Sequence, residues 1–281
     1  MNTKHIDALI AAALREDMPH GDITSESLIP ATSRSRAILM AKAPGVLAGI
    51  EVARRVFQKM DPKASFKAVL EDGKPFRPGD VLAEIEGRTR ALLGAERTAL
   101  NFVQRMSGIA TTTRAYVDAV SGTGARILDT RKTTPGLREF EKYAVRAGGG
   151  TNHRRDLSEM VLIKDNHLMS VGDVGLAVER ARRKAGRGIL VEVEVTNFRQ
   201  ARAAVAAGAD WVMLDNMSPE AMKKIVGWMA GRAKIEASGS VSLATVRKIA
   251  ALGVDFISVG RLTHSYASID LSLEFLRRRR S

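Results

Sequence analysis

Ile127–His167 reads ILDTRKTTPGLREFEKYAVRAGGGTNHRRDLSEMVLIKDNH. Short apolar runs, Arg126–Leu128 and Met160–Ile163, stand near its two ends. Such runs suit buried strands of an α/β sheet whose C-terminal ends deliver charged side chains. Thr130, Arg131 and Lys132 follow the first run, and Lys164 follows the second. Folds of this class keep their chemistry at strand ends, so cations gathered there point to a substrate with several negative charges.

Working outward, apolar runs recur at Ile189–Val195, Trp211–Leu214, Lys234–Ala237 and Phe256–Val259. Helical patterns at Phe198–Ala207, Pro219–Met229 and Leu243–Leu252 alternate with them, which argues for a parallel sheet. The runs end on Asp129, Lys164, Glu194, Asp215, Glu236 and Gly260, a polar ring on one side if the strands curl into an α/β barrel. Upstream, Ser35–Lys42, Ala64–Leu70 and Val81–Ile85 read as strands among turn signals at Gly45, Pro75 and Pro78. With Ile50–Met60 as a helix across them, they predict a smaller first α/β domain. Leu92–Met106 is the expected helix between the domains, with Arg105 near its end. The first eighteen residues read as an amphipathic helix whose apolar run is too short for a membrane span and lacks an export signal.

The chain has 281 residues, enough for a barrel plus a smaller domain, and carries 44 Lys plus Arg against 31 Asp plus Glu. The resulting charge of +13 favours anionic partners. Single-stranded nucleic acid is disfavoured, because the basic segments hold few stacking aromatics beyond Phe140 and Tyr143. Absence of Cys removes disulfides, thiolate metal sites and a Cys nucleophile, and agrees with a reducing cytoplasm.

Asp129–Arg138 combines hydroxyls, two early cations and turn formers, able to grip carboxylate or phosphate oxygens; the plainer reading is a solvated basic loop. Gly148, Gly149 and Gly150 permit close backbone approach just before His153 and Arg154, without any Walker or dinucleotide pattern. Lys164 ends an apolar run and has Asp165, Asn166 and His167 to hold it. In VEVEV, Glu192 and Glu194 share one face of a strand and need partners, either Lys132 and Lys164 or Mg²⁺ carrying a substrate pyrophosphate. Asp215 stands at the same level for sugar hydroxyls or the same metal. Ser238, Gly239, Ser240 and Gly260 each follow a strand and precede a helical pattern, a setting that suits a phosphate.

Taken in order, ERTALNFVQRMSGIAT, LDTRKTTPGLREFEKYAVRAGGGTNHR, VLIKDNH, VEVEV, VMLDNM, EASGSVS and ISVGRLTHS resemble quinolinate phosphoribosyltransferase over nearly the whole chain. The resemblance implies the type II phosphoribosyltransferase fold: an N-terminal α/β sandwich domain with its linking helix over 1–108, an open α/β barrel over 109–265, and a segment 266–281 returning to the first domain. It also implies a cytoplasmic homodimer, open to higher assembly, whose sites are completed across the interface, with no membrane or nucleic-acid partner. Quinolinate and 5-phosphoribosyl 1-pyrophosphate would be the substrates and Mg²⁺ the cofactor. Arg105, Arg131, His153, Arg154 and Lys164 would then hold the quinolinate carboxylates, Arg105 reaching in from the neighbouring subunit, with Thr130 and Lys132 sharing the anionic load. Glu194 and Asp215 would meet ribose hydroxyls and metal, forming the catalytic set with Lys132 and Lys164. Ser238, Gly239, Ser240, Val259, Gly260 and Arg261 would hold the 5-phosphate. Ser240 stands where the pattern often has Gly, and Arg261 and Tyr266 stand where small residues are expected. A relative associated with molybdenum transport shares the fold and the TRKT and glycine-rich motifs, but Asn152 before His153 and Lys164 in LIKDNH favour the first reading. A nucleic-acid-binding protein is supported only by the Arg277–Arg280 tail.

Overall fold

The computed structural model describes residues 3–186 and 188–277. Arg278, Arg279 and Arg280 of the basic tail lie outside the described residues. In chain order the elements are α1 (Thr3–Asp17), α2 (Ile23–Leu28), β1 (Arg34–Ala41), β2 (Gly45–Val46), α3 (Ile50–Met60), β3 (Ser65–Ala68), β4 (Pro75–Phe76), β5 (Val81–Arg88) and α4 (Thr89–Ala119). There follow β6 (Arg126–Leu128), α5 (Arg138–Ala147), β7 (Val161–Ile163), α6 (Asp165–Val171), α7 (Val174–Ala185), β8 (Val191–Val195) and α8 (Phe198–Ala206). Last come β9 (Trp211–Asp215), α9 (Pro219–Met229), β10 (Lys234–Ser238), α10 (Leu243–Ala250), β11 (Phe256–Ser258), α11 (Arg261–His264) and β12 (Leu271–Phe275).

The chain forms two compact units, one of residues 1–114, 133–149 and 265–281, the other of 115–132 and 150–264. In the first unit an antiparallel sheet runs β12-β1-β5-β3. The last strand thus pairs along β1, Leu273 opposite Leu39. Burial alternates along β1, with Ala37, Leu39 and Ala41 inward, the pattern of a strand with one wet face. Helix α3 covers the sheet with Val52, Ala53, Val56 and Phe57, and Phe57 meets Phe66 of β3 at 6.0 Å between ring centroids. Helix α1 buries Ile6, Ile10 and Leu14, one residue per turn, and Arg55 of α3 donates to Asp7 at 2.9 Å.

Helix α4 runs 31 residues, well past the expected end at Met106. The chain continues helical through Gly108 because that glycine serves packing. A Cβ there would stand 2.2 Å from the carbonyl oxygen of Ala267. Segment 133–149, expected within the barrel, clusters with the first unit, where Phe140 of α5 packs on Phe102 of α4 with centroids 5.0 Å apart.

The second unit holds six parallel strands in the order β6-β11-β10-β9-β8-β7. Strands β6 and β7 lie at the two ends of that order, so pairing among the described residues leaves the sheet open. Helices α7 to α10 alternate with the strands and bury one face each, as Ala201 and Ala204 of α8 and Val246 and Ile249 of α10 show. The sheet is buried on both faces, which explains its continuous apolar runs. Trp211 and Phe256, stacked with centroids 4.2 Å apart, fill the space near the strands' N-terminal ends. Among the described residues no helix is long and apolar enough to cross a membrane.

Candidate active site

The C-terminal ends of the six strands surround a cavity of about 880 Å³. All six residues expected as a polar ring, Asp129, Lys164, Glu194, Asp215, Glu236 and Gly260, line it. So do Thr130, Arg131, Lys132, His153, Arg154, Ser238, Gly239, Ser240, Val259 and Arg261. A second cavity, about 560 Å³, opens where β9 and β10 begin, and in its wall Lys234 is paired with Asp255 at 2.6 Å.

The cationic part is built by two loops. After β6, Thr130 Oγ1 accepts the Lys132 N–H at 3.0 Å and tightens the turn that carries Arg131. Thr263 donates its hydroxyl to the Lys132 carbonyl at 2.8 Å. Gly260 leaves room for the Lys132 stem, since a Cβ there would stand 3.0 Å from its Cδ. The loop before β7 is anchored by Asp129, fully buried, which accepts from Asn152 Nδ2 at 2.5 Å and from the His153 N–H at 2.9 Å. Arg154 is buried and donates to the Met160 carbonyl at 3.0 Å. Burial, then the neighbouring Arg131, holds its guanidinium below the usual range. Two crowded guanidiniums at a cavity wall favour a dianion between them.

Lys164 caps α6 and is exposed at the end of its apolar run. His167 does not hold the ammonium. Its Nδ1 accepts the Lys164 main-chain N–H at 2.9 Å, which fixes the backbone and leaves the side chain to the cavity.

Glu194 and Asp215, at the ends of adjacent strands, form the acidic part. Burial first, then the charge of Asp215, pushes the Glu194 carboxyl up to about 7, against the opposing pull of Lys164. Asn216, in the left-handed region at φ 49°, donates Nδ2 to Asp215 Oδ2 at 2.9 Å. Gly239, at φ 99°, lies under that side chain, where a Cβ would come within 2.2 Å of Asn216 Oδ1. Ser240 is left-handed too, at φ 48°, which explains why glycine would suit the position. Ser242 then caps α10, its N–H donating to Thr245 Oγ1 at 3.0 Å.

Glu192 and Glu236, both fully buried, meet His153 in a layer below the rim. His153 Nε2 lies 2.9 Å from Glu192 Oε2 and 3.4 Å from Glu236 Oε2. Burial disfavours an imidazolium there, and the two carboxylates outweigh it, raising the group to about 9. The Arg154 N–H, however, points at Nδ1 from 2.8 Å, so Nδ1 is an acceptor and Nε2 carries the ring proton toward the acids. We therefore place the extra proton on the carboxylates, where burial and Glu236 push Glu192 up to about 7. The trio has metal-ligand spacing. A protonated Nε2 offers a metal no lone pair, so the tautomer argues against that use.

Arg105 belongs to the first unit, where its Nη2 donates to Glu141 Oε1 at 2.5 Å and to Thr134 Oγ1. The triple glycine serves helix packing more than a ligand. A Cβ at Gly148 would stand 2.4 Å from the Ala110 carbonyl oxygen of α4, and Gly149 turns the chain at φ 91°. Sequence reasoning gave no role to Asn216 or Glu141, and placed Asp129 only in the polar ring. The only hint was their place directly after a strand or within the basic segment.

A basic cavity at the strand ends of an α/β barrel, with paired carboxylates and a serine-glycine loop, defines an enzyme for small polyanions. The models of the quinolinate phosphoribosyl transferase N-terminal and C-terminal domains match residues 22–107 and 109–274. The chain is 41% identical to the probable nicotinate-nucleotide pyrophosphorylase (carboxylating) of Bacillus subtilis, covering 98% of this chain and 94% of that one. It is 42% identical to the nicotinate-nucleotide pyrophosphorylase (carboxylating) of Mycobacterium leprae, over 94% and 95% of the two chains. The solved structure of NadC from Streptococcus pyogenes superposes with a TM-score of 0.94 at 44% identity, covering 99% of each chain. The chain belongs to the quinolinate phosphoribosyltransferase family.

Proposed function

We propose that the protein transfers the phosphoribosyl group of 5-phosphoribosyl 1-pyrophosphate to quinolinate with decarboxylation, giving nicotinate mononucleotide, pyrophosphate and CO₂ for NAD biosynthesis. The observation that carries this is one cavity in which crowded guanidiniums, Arg131 and Arg154, share the wall with a proton-sharing carboxylate pair, Glu194 and Asp215. A substrate with two adjacent carboxylates answers the first feature, and a ribose with a charged leaving group answers the second.

In this reading Arg131, Arg154 and Lys164 grip the quinolinate carboxylates, Thr130 and Lys132 share that load, and His153 holds the Arg154 backbone in place. Arg105 comes from a second copy of the chain, so the working protein is a dimer. Ser238, Gly239 and Ser240, with Val259, Gly260 and Arg261, take the 5-phosphate through main-chain amides and hydroxyls. Glu194 and Asp215 meet the ribose hydroxyls and favour positive charge on the ring as pyrophosphate leaves. The same pair suits Mg²⁺, because a cation relieves the burial and the repulsion by Asp215 that raise Glu194; when bound, the ion would neutralise charge on the leaving pyrophosphate. The pyridine nitrogen bonds to ribose C1 as the bond to pyrophosphate breaks. The cationic ring then accepts the electron pair left at C2 by departing CO₂, and C2 takes a proton. No nucleophilic side chain is required, and alignment by Arg131, Arg154 and Lys164 supplies most of the acceleration.

Purified protein with both substrates and Mg²⁺ tests the reading, nicotinate serving as the competing acceptor. Stoichiometric nicotinate mononucleotide and CO₂ from quinolinate, and neither from a Lys164→Ala variant, is the expected result. Folded protein that forms neither product would refute it.

A further inference from the structure

Glu141 has no solvent exposure, yet lies on α5 among residues that the reaction scheme leaves without a task. Both of its oxygens are committed. Oε1 accepts from Arg105 Nη2 at 2.5 Å, and Oε2 accepts the main-chain N–H of Thr134 at 3.1 Å. The same Nη2 donates to Thr134 Oγ1. The guanidinium carbon stands 5.1 Å from the centroid of the Tyr266 ring, so an aromatic platform supports the plane that Glu141 orients. This accounts for Tyr266, where the sequence pattern suggested a small residue.

The rest of the guanidinium is unspent. Among the described residues Arg105 Nε is buried without a hydrogen-bond partner, and Nη1 makes no hydrogen bond within the chain. A structural ion pair would consume these donors, since a buried N–H without a partner is unfavourable. A clamp at one end and open donors at the other is the arrangement of an arginine held for a ligand.

We propose that Glu141 is the positioning residue of the Arg105 arm: with Thr134 and Tyr266 it fixes one end of the guanidinium so that the other end meets a carboxylate of the acceptor substrate. The inference rests on the reading of Arg105 as a quinolinate ligand supplied to a second copy. Glu141→Gln tests it, because the amide can accept one of the two N–H groups but must set its own NH₂ against the other. The variant should raise KM for quinolinate at least tenfold, while kcat stays within about threefold and KM for 5-phosphoribosyl 1-pyrophosphate is unchanged. Mixed oligomers separate positioning from general damage. Glu141→Gln mixed with Lys164→Ala should form sites with the wild-type KM for quinolinate, because one site keeps an intact cavity and an intact arm; mixed with Arg105→Ala it should keep the raised KM.

Unchanged KM for quinolinate, equal changes in both KM values, or recovery of the wild-type KM with Arg105→Ala would overturn the proposal. Should Glu141→Gln not fold, Tyr266→Leu removes the platform without unpairing a buried charge; a severalfold rise confined to quinolinate KM supports the proposal, and no change overturns it. Wild-type protein that makes no nicotinate mononucleotide, or an Arg105→Ala and Lys164→Ala mixture that stays inactive after verified subunit exchange, would instead remove the reading beneath it.

Discussion

Glu194 sits where its neighbours decide its charge. Because its folded value, about 7, exceeds the ordinary 4.5, the stability linked to its proton is fully present below the ordinary value and lost as pH rises through about 7. In the proposed reading cation binding runs the other way, since Mg²⁺ would be held by the ionised pair. KM for 5-phosphoribosyl 1-pyrophosphate at fixed free Mg²⁺ should therefore fall between about pH 6 and 8, by up to about tenfold per unit, and Glu194→Gln should flatten the profile. A wild-type profile already flat would remove the acid pair from the metal site. The left-handed conformations of the loop after β10, at Gly239 and Ser240, make opposite demands. Gly239→Ala pushes on Asn216, the donor that orients Asp215, and should cut turnover at least tenfold. Ser240→Gly relieves a conformation costing about 1 kcal/mol and should raise stability by that order with activity retained, read by thermal melts.

Elements were legible where one periodicity ran unbroken. Helices α3 and α9 span Ile50–Met60 and Pro219–Met229 as their sequence patterns indicated, the second helped by Pro219 at its start. Helix α4 was read too short, and the partner that Gly108 packs against, Ala267, is distant in sequence. The same reason hid the use of Gly148. Gly148→Ala should force α5 away from Ala110 and Thr113 of α4, lowering stability by about 1–3 kcal/mol, and, because Glu141 rides on α5, should weaken quinolinate binding too. Denaturant melts and quinolinate KM check both parts; a variant as stable as wild type would mean that α5 accommodates the methyl.

For the whole molecule, a charge of +13 with cations converging on one cavity predicts electrostatic capture of small anions. Raising salt from about 0.05 to 0.5 M should lower kcat/KM for quinolinate severalfold while kcat changes little, since screening acts on encounter. A salt-insensitive kcat/KM would place the excess charge away from the substrate's path. Residues 133–149 follow a barrel strand in sequence and cluster with the other unit in space.

The sequence by itself determined the parallel alternation of strands and helices, the ring of strand-end residues and the polyanionic character of the ligand, because each depends on local periodicity and on which residue follows an apolar run. Tertiary structure decided the rest. It paired Glu194 with Asp215, buried Glu192 and Glu236 against His153, left Lys164 exposed and put Glu141 behind Arg105. These facts come from groups brought within a few ångströms across long stretches of chain, where burial and neighbouring charge set protonation and orientation, and no local pattern encodes such distances.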